Sequence, residues 1–317
     1  MAKIKKVAEV AEATKEEWEK RTLVIRIDGW LGRVIAMTGV ITEVAKTRPV
    51  KVITSRPLAF WWNPYIVSVH WLWDRRIYED VIKGNLYFEL EPYTDDTFFN
   101  DGDNWLDVAA AQLSKYCYIP REARDPVLFL AEHEKLDNVL DWHMPILFQP
   151  FGSTMQGNWA DKSYRSFRVA DAQYIADELM KLWYTVYVAE KADQPKLKWC
   201  IQLTVDNLRR LVTLCARYPV LWCDSSLHHA AKAFGNKAVV VRAWTDAWRF
   251  WYNTSINLRN DEKYEYVPFR LGIDFDTDIQ NQKTNIFTKE FLDNVIKTSY
   301  KLRTTPRPCS CTKKDIL

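Results

Sequence analysis

The sequence predicts an α/β protein built of two lobes, and three observations carry that prediction. Its 317 residues exceed one ordinary core and suit two domains of ~150 residues each. Near the N-terminus a strand, a glycine-bearing turn, a helix and a second strand follow one another, which is one parallel βαβ unit. From residue 145 a second series of short apolar strands alternates with amphipathic helices. The expected domains are therefore 1–144 and 145–317, with the polar, aperiodic stretch 120–143 as the junction.

The elements follow in order. Leu23–Ile27 reads as a buried strand, and Asp28-Gly29-Trp30-Leu31-Gly32 as its turn. Val34, Met37, Ile41 and Val44 then share one helix face until Arg48-Pro49 stops it, and Val50–Thr54 is the next strand. Asn85–Leu90 is a further strand and Trp105–Tyr116 an amphipathic helix. The loop between them holds Asp95, Asp96, Asp101 and Asp103, but it lacks the terminal bidentate Glu of a Ca²⁺ loop and reads as solvated. Pro145–Gln149 opens the second series, with Pro150-Phe151-Gly152-Ser153 as a turn. A helix face of Ala172, Ile175, Ala176, Leu179 and Trp183 precedes a strand at Thr185–Val188. Leu208, Leu211, Val212 and Cys215 mark another helix, stopped by Pro219. After it come a strand at Val220–Cys223, a short helix with Gly235 as its C-cap, a strand at Ala238–Val241 and a last helix near 289–302.

Composition narrows the function classes. Net charge is +3, from 44 Lys+Arg against 41 Asp+Glu, too balanced for a protein that coats nucleic acid in bulk. The distribution is uneven: residues 21–76 carry nine basic and three acidic side chains, residues 77–147 five and fifteen, and residues 148–317 25 and 18. The second half is thus the positive one. Fifteen Trp, 15 Tyr and 14 Phe supply core area and also suit stacking on sugar rings or bases. The six Cys match no zinc spacing, and Cys200, Cys215 and Cys223 lie in apolar patterns as small buried hydrophobes do. The first twenty residues lack the apolar segment of a secretory leader, and no apolar run reaches the ~18 residues of a membrane span. A reduced, cytoplasmic setting is expected, at most peripheral to an inner membrane.

The segment richest in chemistry is Leu221-Trp222-Cys223-Asp224-Ser225-Ser226-Leu227-His228-His229. A strand ends and a helix begins at once, which turns free backbone N–H groups and the positive helix end toward the edge of the sheet. Ser225 and Ser226 add donors, and His229 stands one turn into the helix. Either this is an anion site suited to a diphosphate, or Asp224 or Ser225 simply N-caps a structural helix. A second group interleaves Arg56, Trp61, Trp62, Arg75 and Arg76 with further aromatics, a surface for an anionic acceptor such as a phosphorylated glycan or DNA.

These residues resemble glycosyltransferase family nine, the ADP-heptose:lipopolysaccharide heptosyltransferases. The resemblance rests on Asp224-Ser225-Ser226-Leu227-His228-His229 with the small-residue helix after it, then Ala238–Val241 and Thr245-Asp246. It extends to Ile146–Ser153 with Trp159 and Lys162, and to Val24–Ile35 as the first strand and its glycine loop. It implies a GT-B fold, two Rossmann-like domains facing across a cleft. The second domain would hold a nucleotide-diphosphate sugar and the first an acceptor, in an inverting transfer without a metal or other cofactor. It also implies donor-phosphate roles for Ser225, Ser226, His229, Ser153 and Lys162, with Asp224, Arg33, Thr245, Asp246 and Trp248 expected at the donor or elsewhere in the cleft. The sequence departs from the family at Gly32-Arg33, where the family has Gly-Asp, and at Ser226, where it has Gly. Asp28 is then the nearest carboxylate in the loop that could act as base. Three functions follow: a glycosyltransferase acting on a lipopolysaccharide-type glycan, a DNA glycosyltransferase acting on a hydroxymethylated base as bacteriophages use, or an inactive GT-B protein that binds a nucleotide-sugar or a partner.

Overall fold

The computed structural model describes residues 21–101, 103–137, 144–152, 166–190, 194–204, 208–223, 226–242, 252, 255–259 and 287–304. The chain divides into two compact units, residues 1–131 and 132–317.

In the first unit, β1 (Leu23–Arg26), α1 (Leu31–Thr47), β2 (Val50–Thr54), β3 (Ile66–Trp71), β4 (Leu86–Glu89) and α2 (Trp105–Leu113) follow in order. The sheet has the order β3-β2-β1-β4, and every pairing is parallel, with Leu23 opposite both Val50 and Leu86. The central strand is apolar because a parallel strand inside a sheet is covered on both faces. Helix α1 is buried almost all round, from Val34 through Thr42, because the sheet takes one side and the backbone around Asp125–Val127 takes the other. Val127 donates its N–H to Thr38 Oγ1 at 2.9 Å. Asn63, on the crossover from β2 to β3, donates to Thr42 Oγ1 at 2.8 Å. Gly39 makes the close approach possible: a Cβ there would sit 1.8 Å from the Asp125 carbonyl oxygen.

The second unit contains α3 (Glu132–Asp137), β5 (Pro145–Gln149), α4 (Val169–Lys181), β6 (Thr185–Glu190), β7 (Ile201–Thr204) and α5 (Leu208–Arg217). These are followed by β8 (Val220–Cys223), α6 (Leu227–Ala233), β9 (Ala238–Arg242), β10 (Ser255–Arg259) and α7 (Lys289–Thr304). Its sheet runs β10-β9-β8-β5-β6-β7, again parallel throughout. Phe148, Leu221, Val239, Ile175 and Val295 meet in its core. The short helix α3 is fastened to α5 by a buried two-pronged ion pair, Arg209 Nε to Glu134 Oε1 at 2.7 Å and Nη2 to Oε2 at 2.6 Å. Cys215 and Cys223 are buried free thiols, and burial pushes the Cys200 thiol up to about 12, as small apolar residues would behave.

The alternation of strands and helices matches the sequence expectation, with two corrections and three added strands. A short helix, α3, lies inside the stretch expected to be an aperiodic junction. Trp183, expected on the helix face of α4, lies past its end and is exposed. The added strands are β3, β7 and β10. Each is an edge strand, so each needs only partial apolar character and gives a weak pattern.

The exit of α4 shows a backbone cost. Trp183 donates to Met180 O at 2.9 Å and Tyr184 to Leu179 O at 3.1 Å, the double closure that normally places glycine in the left-handed position. Here that position is Trp183, at φ 67°.

Two stability predictions follow from these sites. Gly39→Ala should lower unfolding stability by about 1–3 kcal/mol through overpacking, although alanine is the better helix former by ~1 kcal/mol; urea unfolding measures it, and an unchanged midpoint would refute the close approach. Trp183→Gly should raise stability by about 1 kcal/mol, because a left-handed non-glycine residue costs about 1–2 kcal/mol and glycine's extra chain entropy returns only part of that. The same urea titration reads its sign.

Candidate functional site

In a parallel sheet all strands end at one edge, and a crevice opens there where neighbouring strands send their connections in opposite directions. The second sheet has that reversal between β5 and β8, since β5 pairs with β6 on one side and β8 on the other. Past β5 run Pro150, Phe151 and Gly152; Gly152 donates its N–H to Ser166 Oγ at 3.0 Å, and Phe167 donates to Pro150 O at 2.9 Å. Past β8 the chain reaches Ser226 and enters α6. The structure therefore brings the turn after β5 and the start of α6 to the two strands that flank the reversal. Ser226 makes no side-chain capping bond to α6. His229 is 5% exposed and its Nδ1 lies 2.6 Å from the Tyr252 hydroxyl. His228 stacks against it, ring centroids 3.8 Å apart, and the Lys232 ammonium lies over the Tyr252 ring. Ser153, Lys162, Asp224, Ser225, Thr245, Asp246 and Trp248 lie outside the described residues.

The first sheet has its own reversal, between β1 and β4, because β1 pairs with β2 and β4. Asp28 and Gly29 follow β1; Leu90 and Glu91 follow β4. Gly29 takes φ +108°, a conformation that glycine allows, and the turn passes under the Arg33 side chain, which a Cβ on Gly29 would meet at 3.4 Å. Arg33 sits in the first turn of α1, where a cation opposes the helix dipole. The anion that offsets it belongs to the same unit: Arg33 Nη2 lies 2.6 Å from Glu91 Oε2 and donates to Leu90 O at 2.8 Å, and its guanidinium covers the Tyr93 ring. Asp28 is half-buried and, among the described residues, its carboxylate has no hydrogen-bond or ion-pair partner. Its side chain does not cap α1, whose N-cap is Trp30 without a side-chain bond. On the same edge Arg26 is held above its ordinary pKa, first by a hydrogen bond with Tyr87, with Glu89 and Asp28 adding smaller electrostatic support.

The basic and aromatic residues divide into two places. Thr54 stands opposite Trp71 at the ends of β2 and β3, so Arg56, Trp71, Trp73, Arg75 and Arg76 belong to the edge that carries Asp28. Arg56 and Arg75 are exposed, with no ion-pair partner among the described residues, whereas Arg76 pairs with Asp80 at 2.9 Å. Trp61 and Trp62 are exposed too, but they lie on the crossover that returns to the other end of β2, where Ile66 meets Val50. Beside β2, His70 accepts or donates through Nε2 to Ser68 Oγ at 2.7 Å. Burial lowers its pKa, Lys51 lowers it further, and Asp74 opposes both.

The residues that sequence reasoning missed are Glu91 and Tyr93 around Arg33. Tyr252, which the sequence offers either as a flank of the nucleotide or sugar or as part of a buried helix face, is buried against His229, with Lys232 over its ring. A carboxylate just beyond the strand next to β1 was the available signal for Glu91, and it needed the strand order to be read. Among the described residues no three His, Cys, Asp or Glu side chains gather as metal ligands.

No family model and no curated protein matches the chain. Solved structures do. A glycosyl transferase family 9 protein from Veillonella parvula aligns with TM-score 0.63 at 15% identity, covering 89% of this chain and 97% of that one. The ADP-heptose lps heptosyltransferase II of E. coli aligns with TM-score 0.57 at 15% identity, over 88% of this chain and 99% of that one. TibC, an iron-containing dodecameric glycosyltransferase of enterotoxigenic E. coli, gives 0.62 at 14% identity over 89% and 79%. At such identity the likeness is one of fold: this chain is built on the α/β, GT-B fold of the family 9 glycosyltransferases and ADP-heptose heptosyltransferases.

Proposed function

We propose that the protein is a glycosyltransferase that moves a sugar from a nucleotide-diphosphate sugar to an acceptor hydroxyl. The observation that carries this reading is a coincidence of two independent features. Each sheet has one reversal of strand order, and the residues chosen from the sequence for chemistry, Asp28 in one unit and Ser226 with His229 in the other, sit beside those reversals.

In this reading the diphosphate lies on the backbone and hydroxyls of 224–226, with Ser153 and Lys162 as further contacts and His229 oriented by Tyr252. Asp224, Thr245, Asp246 and Trp248 line the donor side. Arg33, already neutralised by Glu91, holds the loop that carries Asp28. Asp28 takes the proton of the acceptor hydroxyl. The acceptor oxygen then forms its bond to the anomeric carbon as the bond from that carbon to the phosphate oxygen breaks. The acceptor attacks from the face opposite the phosphate, so the configuration inverts; the nucleoside diphosphate leaves with the electron pair, and its charge is met by amides, Lys and His rather than by a metal. General-base and electrostatic effects of this kind are each worth about 10²–10⁴-fold in rate.

The acceptor is anionic on the strength of Arg56 and Arg75, two exposed cations that have no ion-pair partner among the described residues and lie on the same edge as Trp71 and Trp73. Trp61 and Trp62, chosen with them from the sequence, lie at the other end of β2. A lipopolysaccharide-type phosphorylated glycan fits the edge with Arg56 and Arg75 best. The same cations and indoles favour a second acceptor, a hydroxymethylated base in DNA.

Mass spectrometry of a nucleotide-sugar panel, incubated with truncated lipopolysaccharide and separately with hydroxymethylated DNA, tests the assignment. Transfer to either acceptor should fall by about 10²-fold or more in Asp28→Asn; an undiminished rate would remove Asp28 as base. Binding of a nucleotide-sugar without turnover on any acceptor would instead make the chain an inactive relative. Charge reversal at Arg56 and Arg75 should raise the acceptor KM by about 10-fold and leave the donor KM unchanged. For a DNA acceptor the salt dependence of binding should also flatten by about one unit of slope per lost phosphate contact.

A further inference from the structure

Three non-glycine residues described in the second unit adopt left-handed backbone: Met144 at φ 55°, Trp183 at 67° and Trp199 at 65°. Met144 packs against the core. The two tryptophans do not, being 82% and 86% exposed. A bulky residue at positive φ is a strained choice, and such choices mark functional surfaces more often than structural ones. Burial does not reward either indole.

Their places are related. Trp183 lies two residues before β6 and Trp199 two residues before β7, and these strands are parallel neighbours. Both rings therefore stand at the N-terminal edge of the sheet, the end away from Gly152 and Ser226. The segment before Trp199 is fixed rather than free: Lys198 donates its N–H to Gln173 Oε1 at 2.7 Å, and Gln173 Nε2 donates back to Lys198 O at 3.2 Å. Leu182 and Ile201 add exposed aliphatic surface on either side. The charged groups around the rings are Lys181, Lys196 and Lys198 against Asp177 and Glu178. Glu178 is taken by Lys181 at 2.6 Å and Asp177 accepts from Gln173 at 2.8 Å. Lys196 and Lys198 are exposed and have no ion-pair partner among the described residues.

We propose that this edge docks on an anionic lipid bilayer, with Trp183 and Trp199 entering the headgroup region and Lys196 and Lys198 lying against lipid phosphates. An indole with an apolar body and a polar N–H is the side chain most at home at that boundary. Lysines beside it draw the protein to a negatively charged leaflet, and their stems can lie along the apolar layer while the ammonium stays in water. A protein partner would call for a continuous apolar patch with charge depleted from its centre, whereas here lysines alternate with the rings. Docked this way, the sheet presents its opposite edge, the one with Gly152 and Ser226, away from the lipid. The inference stands independently of the donor and acceptor assignments.

The full-length protein should co-sediment with vesicles of phosphatidylglycerol and phosphatidylethanolamine in equal parts at least tenfold more tightly than with phosphatidylcholine vesicles. Its tryptophan emission should shift to the blue and be quenched by brominated lipid. Trp183→Gly with Trp199→Gly suits the left-handed backbone, so this double variant keeps its fold, checked by circular dichroism and thermal melting, and should lose at least tenfold in vesicle affinity. Lys196→Gln with Lys198→Gln should remove most of the salt-sensitive part of binding. Equal partition to both vesicle types overturns the proposal, as does undiminished binding by the tryptophan double variant. A dimer in sedimentation equilibrium that the same double variant dissolves also overturns it, by assigning the rings to a second copy of the chain.

Discussion

Every strand in both sheets runs parallel, and that constraint orders the chemistry of the chain. A parallel pair cannot be joined by a tight hairpin, so each strand must be followed by a crossover that returns across a face. All strand ends then fall at one edge, and the loops that leave it carry whatever is not spent on packing. In the first unit those loops carry Asp28, Arg56, Leu72 and Leu90; in the second they include Pro150 after β5 and Ser226 before α6. The strands below are held by apolar contacts such as those of Val24 and Ile53 with Val81.

The Arg33–Glu91 pair shows how that freedom is bounded. A cation in the first turn of a helix is unfavourable by itself, and its Nε is buried without a hydrogen-bond partner. The arrangement persists because Glu91, the Leu90 carbonyl and the face of Tyr93 converge on the same guanidinium from the neighbouring strand. One consequence is electrostatic. Glu91 is thereby taken up by Arg33, whereas the Asp28 carboxylate has no hydrogen-bond or ion-pair partner among the described residues. Asp28 and Glu91, although both lie past the ends of adjacent strands, therefore differ in kind: one is spent on structure and the other is left to solvent or substrate.

How much of this was legible in the sequence depended on which physical signal was strong. Central strands were readable because burial on both faces demands unbroken apolar runs, as in Leu23–Arg26 and Val220–Cys223. Helix α4 was readable because Ala172, Ile175, Ala176 and Leu179 recur with the helical period. Edge strands such as Ile66–Trp71, with Ser68 and His70 inside it, carry a mixed pattern that a loop could share. The Arg33 reading was half legible: a cation at a helix start called for an anion, but the partner lies 58 positions along the chain and only the strand order brings it near. His229 was visible as chemistry, while its orientation by Tyr252 depended on a contact 23 residues away.

The aromatic load, which the sequence left divided between core and surface, resolves by location. Trp105, Trp222, Phe98, Phe148 and Phe151 are fully buried and serve as bulk for packing. Trp61, Trp62, Trp71 and Trp73 surround the edge strand β3, while Trp183 and Trp199 stand at the entrances of β6 and β7. Exposed indoles scattered singly would need no explanation. Indoles gathered at strand ends and edges are different, because those are the places where the backbone is already committed and the side chain is free to be chosen for an outside partner. Trp62, Trp183 and Trp199 go further, since each holds a left-handed backbone that glycine would take at lower cost. At Trp183 and Trp199 the indole is also unburied, so packing does not offset the backbone cost there.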